Sequence, residues 1–239
     1  MNIYQINPIS ELLKDPYVGR GIIIGKSQSG KSAAVAYFIM GRSENSRNRV
    51  FVEKDDNEVL IYPFDESKVE DPSLIIYSPI KCFENQLIVT NGDQTDTVYD
   101  FVKDGKRFED ALQTRCFEPD APNLTPRISG ILEFSENDFT YKMSILKSAD
   151  ADGSACNRYT FSFEPLNGMG HFIHTYVCDG NPLPTFQGEP ERVAIPDDID
   201  VFTKEIWENL DGENKISLYV RFLDLETGKI ENRMINKNQ

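Results

Sequence analysis

Residues 21–40 read GIIIGKSQSGKSAAVAYFIM, and the way this stretch folds decides the class of the whole chain. Two apolar runs, Gly21–Gly25 and Ala33–Met40, flank Gly25-Lys26-Ser27-Gln28-Ser29-Gly30-Lys31-Ser32, which fits the phosphate-loop pattern GxxxxGKS letter for letter. In a true phosphate loop the second run is a helix. Backbone amides then cradle phosphates, the lysine meets the outer phosphates and the hydroxyl binds magnesium. Here the run AAVAYFIM is apolar on nearly every side and partly β-branched or aromatic, and it ends after about nine residues, as strands do. No buried parallel strand supplies a partner carboxylate. Leu223-Asp224 comes nearest, and it lies in what reads as a hairpin. The preferred reading is a polar β-turn between antiparallel strands, with a magnesium-dependent phosphotransferase as the competing one.

The rest of the chain favours strands. Val50–Glu53 and Val59–Tyr62 flank the turn Asp55-Asp56-Asn57 as a hairpin, and Leu74–Tyr77 with Gln86–Thr90 make another candidate pair. Between Asp96 and Cys116 the period changes: Val98, Phe101, Val102, Phe108, Ala111 and Leu112 mark one or two amphipathic helices, broken at Gly105. Strands resume at Ile128–Phe134, Phe139–Ile145, Arg158–Phe163 and near His171–Val177. Asp200–Leu210 reads as a helix stopped by Asp211-Gly212. Ile216, Leu218, Val220 and Phe222 then alternate, and Glu226-Thr227-Gly228-Lys229 turns into a last strand. Many strands and few helices in mixed order predict an α+β domain rather than a βαβ series. No linker or repeat marks a boundary. In the lead-in, Ile9, Leu12 and Leu13 are expected to pack on the body.

The charge balance sets a condition on any anionic ligand. The formal net charge is -14, so nucleic acid and anionic membranes are repelled at long range, and a phosphate needs a local cluster of cations. Gly41-Arg42-Ser43-Glu44-Asn45-Ser46-Arg47-Asn48-Arg49 supplies one, with three arginines in eight residues; arginine presents fixed, bidentate donors to phosphate. Two further polar segments stand out. Thr90-Asn91-Gly92-Asp93-Gln94-Thr95-Asp96 joins a strand to a helix, where Asp93 or Thr95 would serve as a cap. In Glu118–Ile128, three prolines stiffen a loop displaying Glu118, Asp120, Asn123, Thr125 and Arg127. Each segment alone reads equally well as a solvated or structural loop.

Other chemistries find little support. The cysteines Cys82, Cys116, Cys156 and Cys178 make no CxxC pair, and with only His171 and His174 a histidine-rich metal site is not expected. Catalysis by an N-terminal nucleophile needs Cys, Ser or Thr at the mature start; position 2 is Asn2. No apolar run approaches a membrane span, and the first residues lack the basic start and apolar stretch of a secretory signal. A cytoplasmic protein is expected.

Together and in order, YVGR at Tyr17–Arg20, GRSENSRNR at Gly41–Arg49, Tyr77-Ser78-Pro79, NGDQTD at Asn91–Asp96, and Asn123-Leu124-Thr125-Pro126-Arg127-Ile128 resemble the archaeal-type IMP cyclohydrolase family. His174-Thr175-Tyr176 and Phe186-Gln187-Gly188-Glu189-Pro190 are also similar, so the likeness runs over residues 17–235. It implies a single domain over 1–239 with residues 1–16 as an N-terminal extension. The implied fold is like that of the N-terminal nucleophile hydrolases: four layers, α-β-β-α, around two antiparallel sheets. The implied reaction closes formamidoimidazole-carboxamide ribotide to IMP and water, with no cofactor and no metal, in a homo-oligomer whose partner is a small purine ribotide. The alternatives are a ribotide-binding protein without turnover and, further off, the phosphotransferase.

Carried over by position, the resemblance makes Arg47, Tyr77 and Glu118 catalytic. Arg47 would polarise a substrate oxygen, Tyr77 would donate a proton, and Glu118 would act as base or orient the carboxamide. Arg42 would help hold the substrate, and Asn91, Asn123 and Arg127 would position it. Arg20, Asp93 and Thr95 complete the substrate-binding set. The chain departs from the family pattern in having Gln94 where NGxHTD has histidine, and Leu124 as an extra residue after Asn123.

Overall fold

The computed structural model describes residues 2, 4–55, 57–68 and 76–239. The segment 21–40 is an antiparallel hairpin: β1 (Arg20–Lys26) pairs with β2 (Ser32–Met40), Gly25 opposite Ala34. No helix follows Lys31, which removes the context a phosphate loop requires. The turn uses its polar groups on itself. The Ser27 amide donates to Ser32 O at 2.9 Å and the Gly30 amide to Ser27 O at 2.9 Å. Ser29 N donates to the Asp197 carboxylate at 2.7 Å. Gly30 takes φ +78°, a left-handed conformation that glycine adopts without Cβ strain.

AAVAYFIM is apolar throughout because the strand is covered on both faces. Side chains alternate across a strand. Ala33, Val35, Tyr37 and Ile39 enter the central core, while Ala34, Ala36, Phe38 and Met40 face a second core beneath helices.

Among the described residues there are thirteen strands in two sheets, ordered β11-β10-β1-β2-β12-β13 and β3-β4-β5-β6-β7-β8-β9. The first adds β10 (Met169–His174), β11 (Glu191–Ala194), β12 (Lys215–Asp224) and β13 (Ile230–Asn236). The second comprises β3 (Val50–Asp55), β4 (Glu58–Tyr62), β5 (Ile80–Phe83), β6 (Gln86–Thr90), β7 (Arg127–Ser135), β8 (Asp138–Ser148) and β9 (Cys156–Phe163). All neighbours are antiparallel.

Three apolar clusters fix the layers. The central one joins the inner faces of both sheets, for example Ile22, Ile24, Tyr37 and Tyr219 with Phe51, Ile61, Val89 and Met143. A second seats α1 (Ile9–Leu12) and α5 (Ile199–Asn209) on the first sheet, through Ile9, Leu13, Phe202 and Ile206. A third seats α3 (Gln94–Lys103) and α4 (Phe108–Gln113) on Ile88, Ile131 and Leu146 of the second sheet. The order is therefore α-β-β-α, an α+β sandwich of two antiparallel sheets. A short α2 (Glu44–Arg47) lies at one end, capped by Ser43.

Several expectations shift. Leu74 and Ile75 of the expected strand Leu74–Tyr77 lie outside the described residues, as does Asp56 of the hairpin turn. Ile76 and Tyr77 are not in a strand; β6 pairs instead with β5, through a tight turn in which Glu84 takes φ 51°. The α5 helix is capped by Asp198, whose carboxylate accepts from Asp200 N at 2.7 Å and Val201 N at 3.1 Å. Asp93, expected as a cap for α3, makes no cap bond; its carboxylate is drawn to two arginines.

Candidate active site

Antiparallel pairing brings the start of β1, the ends of β2 and β10, the end of β6 and the starts of β3 and β7 to one end of the sandwich. The polar segments meet there. A chamber of about 380 Å³ is lined by Tyr17, Arg20, Arg42, Arg49, Glu118, Asp120, Asn123 and Tyr176, among others. It leads to a recess of about 40 Å³ between Arg20, Arg49, Tyr77, Asn91, Gly92, Asp93, Glu118 and Arg127. Arg20, Arg49 and Glu118 line both.

Strand phase aims the two central arginines. Arg20 begins the inward series Arg20, Ile22, Ile24, and Arg49 precedes Phe51 by two; a period of two carries both side chains between the sheets. Gly19 lets β1 start in this position. Its φ is +79°, and a Cβ there would lie 2.1 Å from the Thr175 hydroxyl oxygen. Neither the Arg20 nor the Arg49 guanidinium makes a hydrogen bond or ion pair to any described residue, and the buried Nε of each has no partner. Two guanidiniums without direct hydrogen-bond or ion-pair partners, Arg49 buried and Arg20 half-buried, face one space and form a site prepared for an anion or for developing negative charge.

The electrostatics agree with this. Burial opposes the charge on Arg20, but Glu118 and the phenols of Tyr17, Tyr176 and Tyr77 outweigh it and raise its pKa. Burial and the adjacent Arg20 lower that of Arg49. Burial raises the Glu118 carboxyl above the ordinary carboxylate range, against the pull of Arg20 and Arg127. Burial also raises the Tyr77 phenol, opposed by Arg49 and Arg20. Its oxygen lies 2.9 Å from that of Tyr37 in the central core. Burial pushes Tyr176 up to about 12.

The proline loop is held rigidly. Glu118 N donates to Thr125 O at 2.8 Å, and Thr125 N to the Asp120 carboxylate at 2.6 Å. The Thr125 hydroxyl meets the Tyr176 phenol, tying the loop to the opposite sheet. Asn123 accepts from Leu183 N at 3.1 Å. The extra Leu124 takes φ 46° and turns a buried side chain toward Gly153.

Of the residues read from the sequence, Tyr77, Glu118, Arg20, Arg42, Asn91, Asp93, Asn123 and Arg127 gather here. Arg42 lies 5.0 Å over the Tyr17 ring and donates to Gly180 O at 2.9 Å. Asn91 has its amide committed internally: Nδ2 donates to Pro126 O at 2.9 Å, and Oδ1 accepts from Ile128 N at 2.8 Å. Two expected residues do not line the site. Arg47 ends α2, and that turn directs it elsewhere; its Nε donates to Gly41 O at 3.0 Å and a terminal nitrogen to Asn214 at 3.2 Å. Thr95 is fully buried under the Asn91–Asp93 turn, its hydroxyl 2.6 Å from that of Thr90. Arg49 is the arginine of this segment that reaches the inner recess, while Arg42 lines the outer chamber; the spacing of Arg49 from Phe51 was the signal for it.

Among the described residues, no group of three or more His, Cys, Asp or Glu side chains is placed to hold a metal ion, and no helix is long and apolar enough to cross a membrane.

The family described as IMP cyclohydrolase-like protein matches residues 17–228. The chain is 32% identical to the IMP cyclohydrolase of Methanococcus aeolicus over 167 residues, 68% of this chain and 75% of the relative. It is 35% identical to that of Methanococcus maripaludis strain C7 over 147 residues, 56% and 71%. It is 36% identical to that of Methanocaldococcus jannaschii over 122 residues, 50% and 58%.

Proposed function

The chain belongs to the IMP cyclohydrolase-like protein family, and from that premise we propose that it is itself an IMP cyclohydrolase, closing formamidoimidazole-carboxamide ribotide to IMP and water in purine biosynthesis. The enzyme is formally a cyclic amidine hydrolase working in the closing direction, and we place it in the cytoplasm. The observation that carries the reading is the pair of unpartnered guanidiniums, Arg20 and Arg49, between Tyr77 and Glu118 in the inner recess.

The carboxamide nitrogen attacks the formyl carbon and a C–N bond forms. The formyl oxygen becomes anionic, is protonated and leaves as water, taking one hydrogen from each flanking nitrogen. The recess of about 40 Å³ is too small for a ribotide but fits its reacting edge; the chamber of about 380 Å³ takes the ribose and phosphate, with Arg42 toward the outer end. Arg20 and Arg49 stabilise the developing oxyanion before any reorganisation is needed. Tyr77, a phenol protonated at neutral pH whose pKa burial raises further, can donate to that oxygen. Glu118 receives a nitrogen-bound proton; its raised pKa brings it nearer to neutrality, where a general base works best. Both reacting groups belong to one molecule, so holding them in line supplies much of the acceleration.

The test is IMP formation by the purified protein and by Arg49→Ala. Turnover by the first with strong loss in the second supports the reading. Full activity in Arg49→Ala would remove the observation on which it rests.

A further inference from the structure

We propose that Gln94 is a positioning residue: its buried side-chain amide holds the Arg127 guanidinium at the inner recess, so that it acts on the reaction without touching the substrate. This rests on the reading of the recess as the reacting end.

Gln94 opens α3, yet it is fully buried and lines neither chamber nor recess. Its Oε1 accepts from Arg127 Nη1 at 2.7 Å. Its Nε2 donates to Asn91 Oδ1 at 2.9 Å and to Ile128 O at 3.2 Å. Only one orientation of the amide satisfies all three bonds, because a guanidinium only donates and a backbone carbonyl only accepts. The same holds for Asn91, which donates to Pro126 O and accepts from Ile128 N. The result is a directed chain, Arg127 to Gln94 to Asn91 to the start of β7, that locks the Asn91–Asp93 turn onto the strand carrying Arg127.

The turn is built around this contact. A Cβ on Gly92 would lie 2.5 Å from Arg127 Nη1 and 2.6 Å from Gln94 Oε1, so a side chain there would push the guanidinium and the amide out of their present contact. Asp93 also pairs with Arg127, at 2.6 Å, but it is half exposed and shared with Arg115. An ion pair of that kind is screened and weakly directional. The buried amide sets direction without adding a charge, leaving the cation available to the recess, and Arg127 Nε is buried there without a partner.

A double-mutant cycle tests the assignment, read both as turnover and as IMP affinity by calorimetry. Gln94→Met keeps volume and removes the bonds. We expect kcat/KM to fall about ten- to a hundredfold through misplacement of Arg127, carried mostly by kcat, and no further loss when Gln94→Met is added to Arg127→Ala. An equal loss in both backgrounds would overturn the proposal. Gln94→His guards against simple misfolding: a neutral imidazole accepts with one nitrogen and donates with the other, so at pH 8 it should retain most of the activity. A histidine variant that folds but is as poor as Gln94→Met would also overturn the proposal. Wild-type protein that binds IMP without turnover would sink the cyclohydrolase reading alone, the affinity cycle still deciding the role of Gln94. Absence of both would sink the two together.

Discussion

The two ends of the β1–β2 hairpin make opposite use of polar residues. At one end, Gly25–Ser32 has every letter of a phosphate loop, yet its amides and hydroxyls bond to one another and to Asp197. At the other, about 20 Å away at strand rise, no short motif announces a site, yet the Nε groups of Arg20 and Arg49 are buried without hydrogen-bond partners. A buried N–H donor left without an acceptor is costly, and a fold retains one where a ligand or transition state completes it. Unsatisfied valence, more than letter pattern, marks the site.

The largest expected effect separates the ends by chemistry. Glu118→Gln and Tyr77→Phe should each lower kcat/KM by about 10²–10⁴-fold, the range for a general acid or base. Because burial raises the Glu118 carboxyl, wild-type activity should rise with pH through a limb lying above the ordinary glutamate value of about 4.3. That limb should vanish from the residual activity of Glu118→Gln. Steady-state rates across pH check both.

A smaller effect distinguishes two arginines two residues apart. Arg49→Ala should cost about 10²–10³-fold in kcat/KM, as for loss of one oxyanion donor. Arg47→Ala, which removes bonds to Gly41 and Asn214 outside the recess, should leave kcat near wild type and lower the melting temperature slightly.

The third concerns what each end buries. Toward the look-alike end, His171 on β10 accepts or donates at 2.6 Å to Tyr141 and stacks on Phe163 at 3.7 Å. Burial, with help from Arg192, lowers its pKa from 6.5 to about 4. Between those values the unfolded chain binds the proton and the native one does not. Stability is therefore fully present above pH 6.5 and is lost as pH falls toward 4, by up to about 3 kcal/mol. Melting temperature against pH should show this slope, and His171→Gln should flatten it. The smallest effect is at the motif itself. Lys31→Ala should not change turnover, and Mg-ATP should not shift the melting temperature; a clear shift would reopen the phosphotransferase reading.

These contrasts explain what could be read in advance. The α+β class, the 21–40 hairpin, the break at Gly105 and the helix expected over Asp200–Leu210, found at Ile199–Asn209, follow from periodicity and turn chemistry, which act locally. The convergence of Tyr77, Glu118 and Arg127 came from family resemblance, since their meeting depends on long-range pairing. That Arg49 rather than Arg47 lines the recess was legible in principle from the phase of Phe51, but the single turn of α2 obscured it. Thr95 was expected at the substrate, but a polar residue after Asn-Gly serves equally well as ligand or buried brace, and in the structure it lies outside the chamber and recess, bonded to Thr90. The short β11 gave no signal; its four residues form a strand because β10 offers an edge.

The most direct test of the account is a turnover assay. Chelator-treated protein is mixed with formamidoimidazole-carboxamide ribotide, and IMP is followed by absorbance and chromatography. IMP should form at a rate proportional to protein and fall about 10²–10³-fold in Arg49→Ala. Tight ribotide binding by calorimetry without any IMP would contradict it and would leave a ribotide-binding protein in the same fold.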